Sequence, residues 1–288
     1  MTRASIGTEL VLNAAEGVLQ IIVSDGDATL CAQSWHTADR ATEILAPALA
    51  QICGALKLSP PAFRRIACVN GPGSFTGIRL TLATAAALRR VGRAKTAGLD
   101  LMQALAASAA QQHNLPYGNL VWTLTHARRQ LVHCRSFVSY GPQIPPQPLC
   151  DTDLCPPEEA LRRITQSLHA DNARQQRVLV CGSGLARNAH VFQELDGMNL
   201  VPPAPGVALL AMPRLTVPRV SALRLLARHA EYGDRDVEPL YVRPCDAVEN
   251  LPRLAPRMGM DADQAREALA DMLSRAPRSS LQPPEPPC

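Results

Sequence analysis

The 288-residue sequence contains few aromatic residues and almost no lysine. Only 3% of the residues are Phe, Trp or Tyr although 47% are hydrophobic, so the core has to be built from Ala, Leu, Val and Ile. Lys57 and Lys95 are the two lysines among 29 basic residues, and the net charge is +4. A charge this small for this length does not by itself indicate nucleic-acid binding. The richness in Arg and Ala is more typical of genomic composition bias than of a basic patch.

Patterns for disulfides and metal sites are also missing. The nine cysteines are an odd number, and no C-x-x-C pair occurs. Five of them lie in apolar runs, namely Cys31, Cys53, Cys68, Cys134 and Cys181. We interpret them as small hydrophobic residues in a reducing environment. The scattered histidines lack H-E-x-x-H spacing, which argues against a zinc site.

No uninterrupted apolar run reaches the length needed to cross a membrane, and the first residues lack a charged-then-apolar signal segment. We therefore expect a soluble cytoplasmic protein that has no membrane partner.

The most informative segment lies between residues 66 and 91. An apolar run ends in a loop with Gly71, Gly73 and Gly77, and a helix rich in small residues follows. Strand, glycine loop and helix in this order can direct backbone N–H groups at one point. The spacing fits neither a Walker P-loop nor a Rossmann fingerprint, so an anion site and a tight turn both remain open. Ser74 is predicted to be the helix N-cap rather than a nucleophile.

Residues 71–88, GPGSFTGIRLTLATAAAL, closely resemble the signature of the TsaB (YeaZ) family, the bacterial accessory subunit in making threonylcarbamoyladenosine in tRNA. Three weaker segments follow the family's order. They are Glu43–Pro47 (E-I-L-A-P), His126–Arg129, where the family has D-A-R-R, and Glu238–Pro244, which contains P-L-Y-V-R-P. The resemblance extends in patches from about residue 9 to residue 245.

Two successive units, each opening with antiparallel strands, predict a duplicated α/β architecture. The first unit is predicted as strands 9–14, 19–23 and 28–35, helix 39–56 kinked or started late by Pro47, strand 66–70, helix 74–91, strand 94–98 and helix 100–112. The second is predicted as strands 119–125 and 131–140, a Pro-rich loop 142–157, helix 158–169, strand 177–182, a short helix opened by Gly182-Ser183-Gly184, an irregular segment 202–218, helix 219–232 and strand 240–243.

The family resemblance implies the duplicated ribonuclease-H-like (ASKHA) fold of actin, sugar kinases and heat-shock ATPases, with two β/α lobes. It also implies that the late helix packs back on the first lobe. We therefore predict a first lobe of residues 1–115 completed by helix 219–232, and a second lobe of residues 116–218. A returning helix and strand would span residues 219–245, and a poorly ordered extension with a helix at 262–275 would span residues 246–288.

The residues that hold nucleotide in active members of this fold are altered. The family usually has D-T-S at the end of its first strand, whereas this chain has Asn13, Ala14 and Ala15. Asn13 cannot balance the charge of Mg²⁺, and the alanines offer no hydroxyl to phosphate. We expect Asn13 to be a turn residue and His126 to be exposed or packed in its hairpin. No catalytic, cofactor or metal residue is predicted in this subunit; ATP and Mg²⁺ or another metal are expected in partner subunits.

Helix 74–91 has small residues on more than one face, which would let another helix approach closely. In the resembled family, helices of the first domain form an interface with TsaD, the catalytic paralogue, or with a second copy of TsaB. The predicted partner surface consists of Leu45, Leu49, Thr81, Thr84, Ala85 and Leu88.

The resemblance implies a non-catalytic scaffold subunit for threonylcarbamoylation of the tRNA adenosine beside the anticodon. Its expected partners are a TsaD-like catalytic subunit and a TsaE-like ATPase, with tRNA contacted only through the complex. The alternatives are an ATP-dependent phosphotransferase or glycoprotease-like enzyme, and a homodimeric binding module that has diverged from tRNA modification.

Overall fold

The computed structural model describes residues 7–36, 40–128, 130–168, 177–193, 195, 208–240, 242, 255–259, 261, 263–265 and 267–268. The chain divides into a unit of residues 1–242 and a unit of residues 243–288. In the second unit, a 3₁₀ helix spans Ala255–Met258, and residues 263–265 and 267–268 are helical. The rest of the predicted helix 262–275, together with Cys245 and Cys288, lies outside the described residues.

The first sheet has five strands in the order β3-β2-β1-β4-β5. Its strands are β1 (Thr8–Asn13), β2 (Val18–Asp25), β3 (Ala28–His36), β4 (Phe63–Gly71) and β5 (Lys95–Asp100), and its helices are α1 (Ala41–Leu56), α2 (Phe75–Gly92) and α3 (Leu101–Gln112). Strands β1, β2 and β3 are antiparallel, whereas β4 runs parallel to β1 and β5 runs parallel to β4.

The second sheet repeats this topology in the order β8-β7-β6-β10-β11. Its strands are β6 (Leu120–Arg128), β7 (Leu131–Val138), β8 (Gln147–Pro148), β9 (Asp153–Cys155), β10 (Arg177–Cys181) and β11 (Ala208–Met212). Helices α4 (Pro157–Leu168) and α5 (Ser183–Arg187) lie between these strands in sequence, and α6 (Val220–His229) follows β11. A hairpin again leads to two parallel strands, while β9 pairs with β7. The predicted fold class, duplicated β/α lobes of the ribonuclease-H type, is confirmed.

Helix α3 lies in the middle of the largest core cluster and packs against strands of both sheets. Nine of its twelve residues are buried, and five of those nine are alanines. Alanine adds little bulk, so the helix fits between two sheets that would otherwise be held apart. Helix α6 packs on α3 and on the first sheet. The predicted lobe boundaries themselves remain a prediction.

Three sequence-based predictions differ from the structure. Residues 208–212 form β11 rather than irregular chain, because this apolar run pairs in parallel with β10. The Pro-rich loop contains β8 and β9, which both pair with β7. Helix α1 begins at Ala41 and contains Pro47, so the proline does not delay its start.

The predicted strand 240–243 falls largely outside the described residues. Leu240 is not in a strand, but its backbone N–H donates to the Asn70 carbonyl oxygen over 2.8 Å. The seven cysteines that the structure describes are free thiols, with Cys31 half-buried and Cys150 exposed. Within the described part of the chain, no helix is long and apolar enough to cross a bilayer.

Candidate functional site at the two hairpins

The glycine loop is attached to the turn between β1 and β2. The backbone N–H of Ser74 donates to the Ala15 carbonyl oxygen over 2.7 Å. The Ser74 hydroxyl accepts from the Gly77 N–H over 3.3 Å, which confirms the predicted N-cap of α2. The loop therefore holds the first hairpin turn against the start of α2.

Glycine is required in this loop because two backbones touch. A Cβ on Gly77 would lie 1.9 Å from the Ala14 carbonyl oxygen, and a Cβ on Gly73 would lie 2.4 Å from that of Ala15. Gly71 and Gly73 also have positive φ angles of 136° and 156°. Of the two interpretations left open by the sequence, these contacts favour the tight turn, since the hairpin main chain occupies the space beside the loop.

Asn13 is a turn residue whose side chain forms hydrogen bonds through both its oxygen and its nitrogen. Its Oδ1 accepts from the Ala15 N–H over 3.0 Å, and its Nδ2 donates to Gln20 Oε1 over 2.8 Å. Gln20 in turn donates to the Pro218 carbonyl oxygen over 3.0 Å. Asn13 is also buried. This neutral, bonded amide does not fit the role of a carboxylate that balances the charge of a phosphate-bound Mg²⁺.

The second hairpin has an equivalent arrangement. A Cβ on Gly182 would lie 2.1 Å from the Leu124 carbonyl oxygen, just as one on Gly77 would meet Ala14 in the first lobe. The His126 N–H donates to Ser183 Oγ over 2.9 Å, at the first residue of α5. Arg129, the last residue of the segment that resembles D-A-R-R, lies outside the described residues.

Ser183 connects the two hairpins. Its hydroxyl donates to Glu16 Oε1 over 2.9 Å, so one oxygen links the β1–β2 turn to the end of β6. Burial raises the pKa of Glu16 to about 7, against the opposing effects of the Ser183 hydrogen bond and the positive charge of Arg187. A carboxyl group with this pKa can hold or release a proton near neutral pH.

His126 is half-buried in the same junction. Burial lowers the pKa of its imidazole, and the charge of Arg187 lowers it further. Its Nδ1 is buried and has no hydrogen-bond partner among the described residues. The sequence singled out His126 but missed Glu16, Ser183 and Arg187. The sequence feature that could have pointed to Ser183 is Gly182-Ser183-Gly184, because it follows a buried strand just as the glycine loop does in the first lobe.

Most residues of the predicted partner surface are not exposed in the structure. Leu45, Leu49, Thr81 and Ala85 are buried, and three of them belong to the core cluster between α1, α2 and the first sheet. Thr81 donates back to the carbonyl oxygen of Ile78 over 2.9 Å, inside its own helix. Two further positions, Thr84 and Leu88, are half-buried. The face through Gly77, Thr81 and Ala85 therefore packs on the chain itself.

Other small residues of these two helices are exposed. Among them are Ala46, Ala50 and Gly54 on α1, spaced four residues apart, and Ala83 and Ala87 on α2. The two helices are in contact with each other. We call these five residues the outer α1–α2 face. All five are exposed, so another molecule could contact them.

Among the described residues, no group of three or more His, Cys, Asp or Glu side chains could hold a metal ion.

Comparisons with known proteins give the following matches. A family model described as TsaD, tRNA N6-adenosine threonylcarbamoyltransferase, matches residues 36–162, less than half of the chain. A Pseudomonas aeruginosa structure, described as an uncharacterized protein with similarity to peptidase YEAZ, has a TM-score of 0.62 at 17% identity and covers 83% of this chain and 100% of its own. YeaZ from Pseudomonas aeruginosa has a TM-score of 0.59 at 18% identity, with 82% and 100% covered. No curated protein matches the sequence.

At these identities the structural likeness establishes the fold, which is that of YeaZ. Together with the family model, it supports the TsaB-family resemblance of the glycine loop.

Proposed function

We propose that this chain is a non-catalytic subunit of the machinery that transfers threonylcarbamoyl to the tRNA adenosine beside the anticodon, acting with a TsaD-like catalytic subunit. The match to the TsaD family model, the YeaZ fold and the glycine loop support a place in this machinery. A TsaE-like ATPase would be a further, transient partner, and tRNA would be contacted through the complex.

The outer α1–α2 face is the observation that carries the scaffold role. Other sides of the helices, through Leu45 and Ala85, already pack in the chain's own core. The outer side presents Ala46, Ala50 and Ala87, which have no charge and little bulk, so a partner helix could approach closely. Covering several hundred Å² of such surface contributes on the order of 10 kcal/mol before the costs of association.

The first hairpin supports a non-catalytic assignment over the phosphotransferase alternative. Asn13 is neutral and its amide is bonded at both ends, while Ala14 and Ala15 lack hydroxyl groups. The carboxyl group in this turn, that of Glu16, is bonded to Ser183 and has a pKa raised to about 7. ATP, Mg²⁺ and the transfer chemistry would then belong to the partner subunits.

The proposal can be tested by charging the outer face. Ala50→Arg and Ala87→Arg should leave the fold intact, because both positions are exposed. Each should weaken binding to a co-purified TsaD-like subunit at least tenfold and reduce threonylcarbamoyladenosine formation by the reconstituted complex. Gln166→Arg, an exposed position on α4, is the matched control and should have no effect.

Unchanged binding by both outer-face variants would overturn the proposed surface. Binding of a second copy of this chain, without any binding of a TsaD-like subunit, would instead favour the homodimeric module. Sedimentation of the purified wild-type chain, alone and with the partner, separates these outcomes.

A further inference from the structure

A cleft beside the start of α6 adjoins the Asn13–Gln20–Pro218 hydrogen bonds, but the two-hairpin junction at Glu16, His126 and Ser183 does not line it. Its volume is about 910 Å³, and Arg219, Arg224 and Arg228 line it together with uncharged polar residues such as Gln111 and Ser221. Among the described residues that line it, none is Asp or Glu. Asp27 pairs with Arg228 beside the cleft, so its three arginines leave an excess of positive charge there.

Arg224 supplies a fixed charge in this cleft. The residue is 8% exposed, and its two terminal nitrogens donate to the carbonyl oxygens of Gly26 and Asp27 and to Thr29 Oγ1. All three acceptors are neutral, and Arg224 Nε has no partner among the described residues. Burial lowers the pKa of Arg224, and the charges of Glu9 and Asp27 oppose this only in part, so an anionic ligand beside the guanidinium would be stabilised.

The other two arginines are exposed and only weakly engaged. Arg228 lies 3.4 Å from a carboxylate oxygen of Asp27, an exposed pair of the kind that contributes little. Arg219 donates to Gln112 Oε1 over 3.4 Å. Arg219 is also the N-cap of the ten-residue helix α6, which has no side-chain cap, so the positive end of the helix dipole adds to the potential. Both guanidinium groups can therefore turn toward an anion.

We propose that this arginine cleft binds a small phosphorylated molecule. Phosphate groups match the paired donors of arginine, and guanidinium groups bind them bidentately. The volume of about 910 Å³ lies within the range of about 300–1,000 Å³ that small-molecule sites occupy, so a compact phosphorylated ligand fits the cleft. Arg219 and Arg228 would contact the phosphate groups, while the buried Arg224 would contribute a positive charge at a fixed position. This proposal does not depend on the function proposed above.

The test uses inorganic pyrophosphate and the full chain in isothermal titration calorimetry. The Arg219→Gln/Arg228→Gln double variant should bind pyrophosphate at least tenfold more weakly than the wild type. Arg93→Gln/Arg235→Gln is the matched control, because it removes two exposed arginines that do not line the cleft and gives the same change in net charge. The control should bind within twofold of the wild type.

A second measurement needs no variant. Pyrophosphate should protect Arg219 and Arg228 of the wild-type chain from modification by phenylglyoxal, as mapped by mass spectrometry. Absence of pyrophosphate binding, equal weakening in both double variants, or lack of protection would each overturn the proposal. Cleft-dependent binding of tRNA without binding of pyrophosphate would overturn it in favour of an RNA-backbone contact.

Discussion

The Ser183 hydroxyl donates to the Glu16 carboxylate over 2.9 Å, joining residues that are 167 positions apart in the sequence. The same hydroxyl accepts the backbone N–H of His126. The turn of the first hairpin and the end of β6 in the second thus meet at one oxygen atom. Because Glu16 is buried and bonded at this point, its pKa depends on how the two sheets pack together.

Replacing Glu16 with Gln should remove a pH dependence of stability. Burial raises the folded-state pKa to about 7 from the ordinary 4.5, so the folded chain retains a proton that the unfolded chain loses. Wild-type stability should therefore fall as the pH rises from about 4.5 to about 7 and stay level above that, by about 2 kcal/mol after allowance for solvent screening. Glu16→Gln keeps the acceptor for Ser183 and lacks the proton.

Urea unfolding at several pH values between 4.5 and 8 measures this difference. The variant should be the more stable protein at pH 8 and should match the wild type near pH 4.5. Parallel curves for the two proteins over the whole range would contradict the assignment of the raised pKa to Glu16.

Gly77→Ala should destabilise the fold although alanine normally favours a helix. The new Cβ would stand 1.9 Å from the Ala14 carbonyl oxygen, so the hairpin turn or α2 has to move, at a cost of about 2 kcal/mol or more. Gly54→Ala in α1 is the matched control, since no atom lies within 4 Å of its Cβ position, and it should stabilise by about 0.5 kcal/mol. Thermal unfolding of the two variants should shift in opposite directions; equal shifts would show that the contact at Gly77 relaxes freely.

Substituting arginine at two nearby positions of α2 should change the free energy of unfolding by very different amounts. Ala85 is buried, so Ala85→Arg forces a charge into the core and should cost on the order of 4 kcal/mol. Ala87 is exposed, so Ala87→Arg should change the free energy of unfolding by less than about 0.5 kcal/mol. Chemical denaturation of the isolated chain checks both values. A strongly destabilised Ala87→Arg protein would mean that the outer face is not free.

The isolated chain should not hydrolyse ATP in the presence of Mg²⁺. Asn13 and Ala15 stand where the resembled family has Asp and Ser, and the Asn13 amide is bonded to Gln20 and to the Ala15 N–H. Phosphate release from purified protein is the measurement. Mg²⁺-dependent turnover that disappears on Asn13→Ala substitution would place catalysis in the first hairpin after all.

The sequence alone was sufficient for features that depend on local pattern. The hairpin strands, the glycine loop, the Ser74 cap and the loss of acidic residues at Asn13 and His126 are all visible in short segments. Order and spacing of these segments also predicted the duplicated topology, because a repeated hairpin followed by β/α units has few ways to form sheets. Strand β11 was missed because the prolines around Ala208–Met212 suggest irregular chain, and only its pairing with β10 shows otherwise.

Only the tertiary structure decided which residues face outward and which distant residues meet. Helix α2 has small residues on nearly every side, so it lacks the amphipathic contrast that would have distinguished buried Ala85 from exposed Ala87. The Glu16–Ser183 contact and the hydrogen bonds from Arg224 to the turn at Gly26 and Asp27 join parts of the chain that only the fold brings together. Such contacts join residues far apart in sequence, and the burial that raises the pKa of Glu16 exists only once both hairpins are packed.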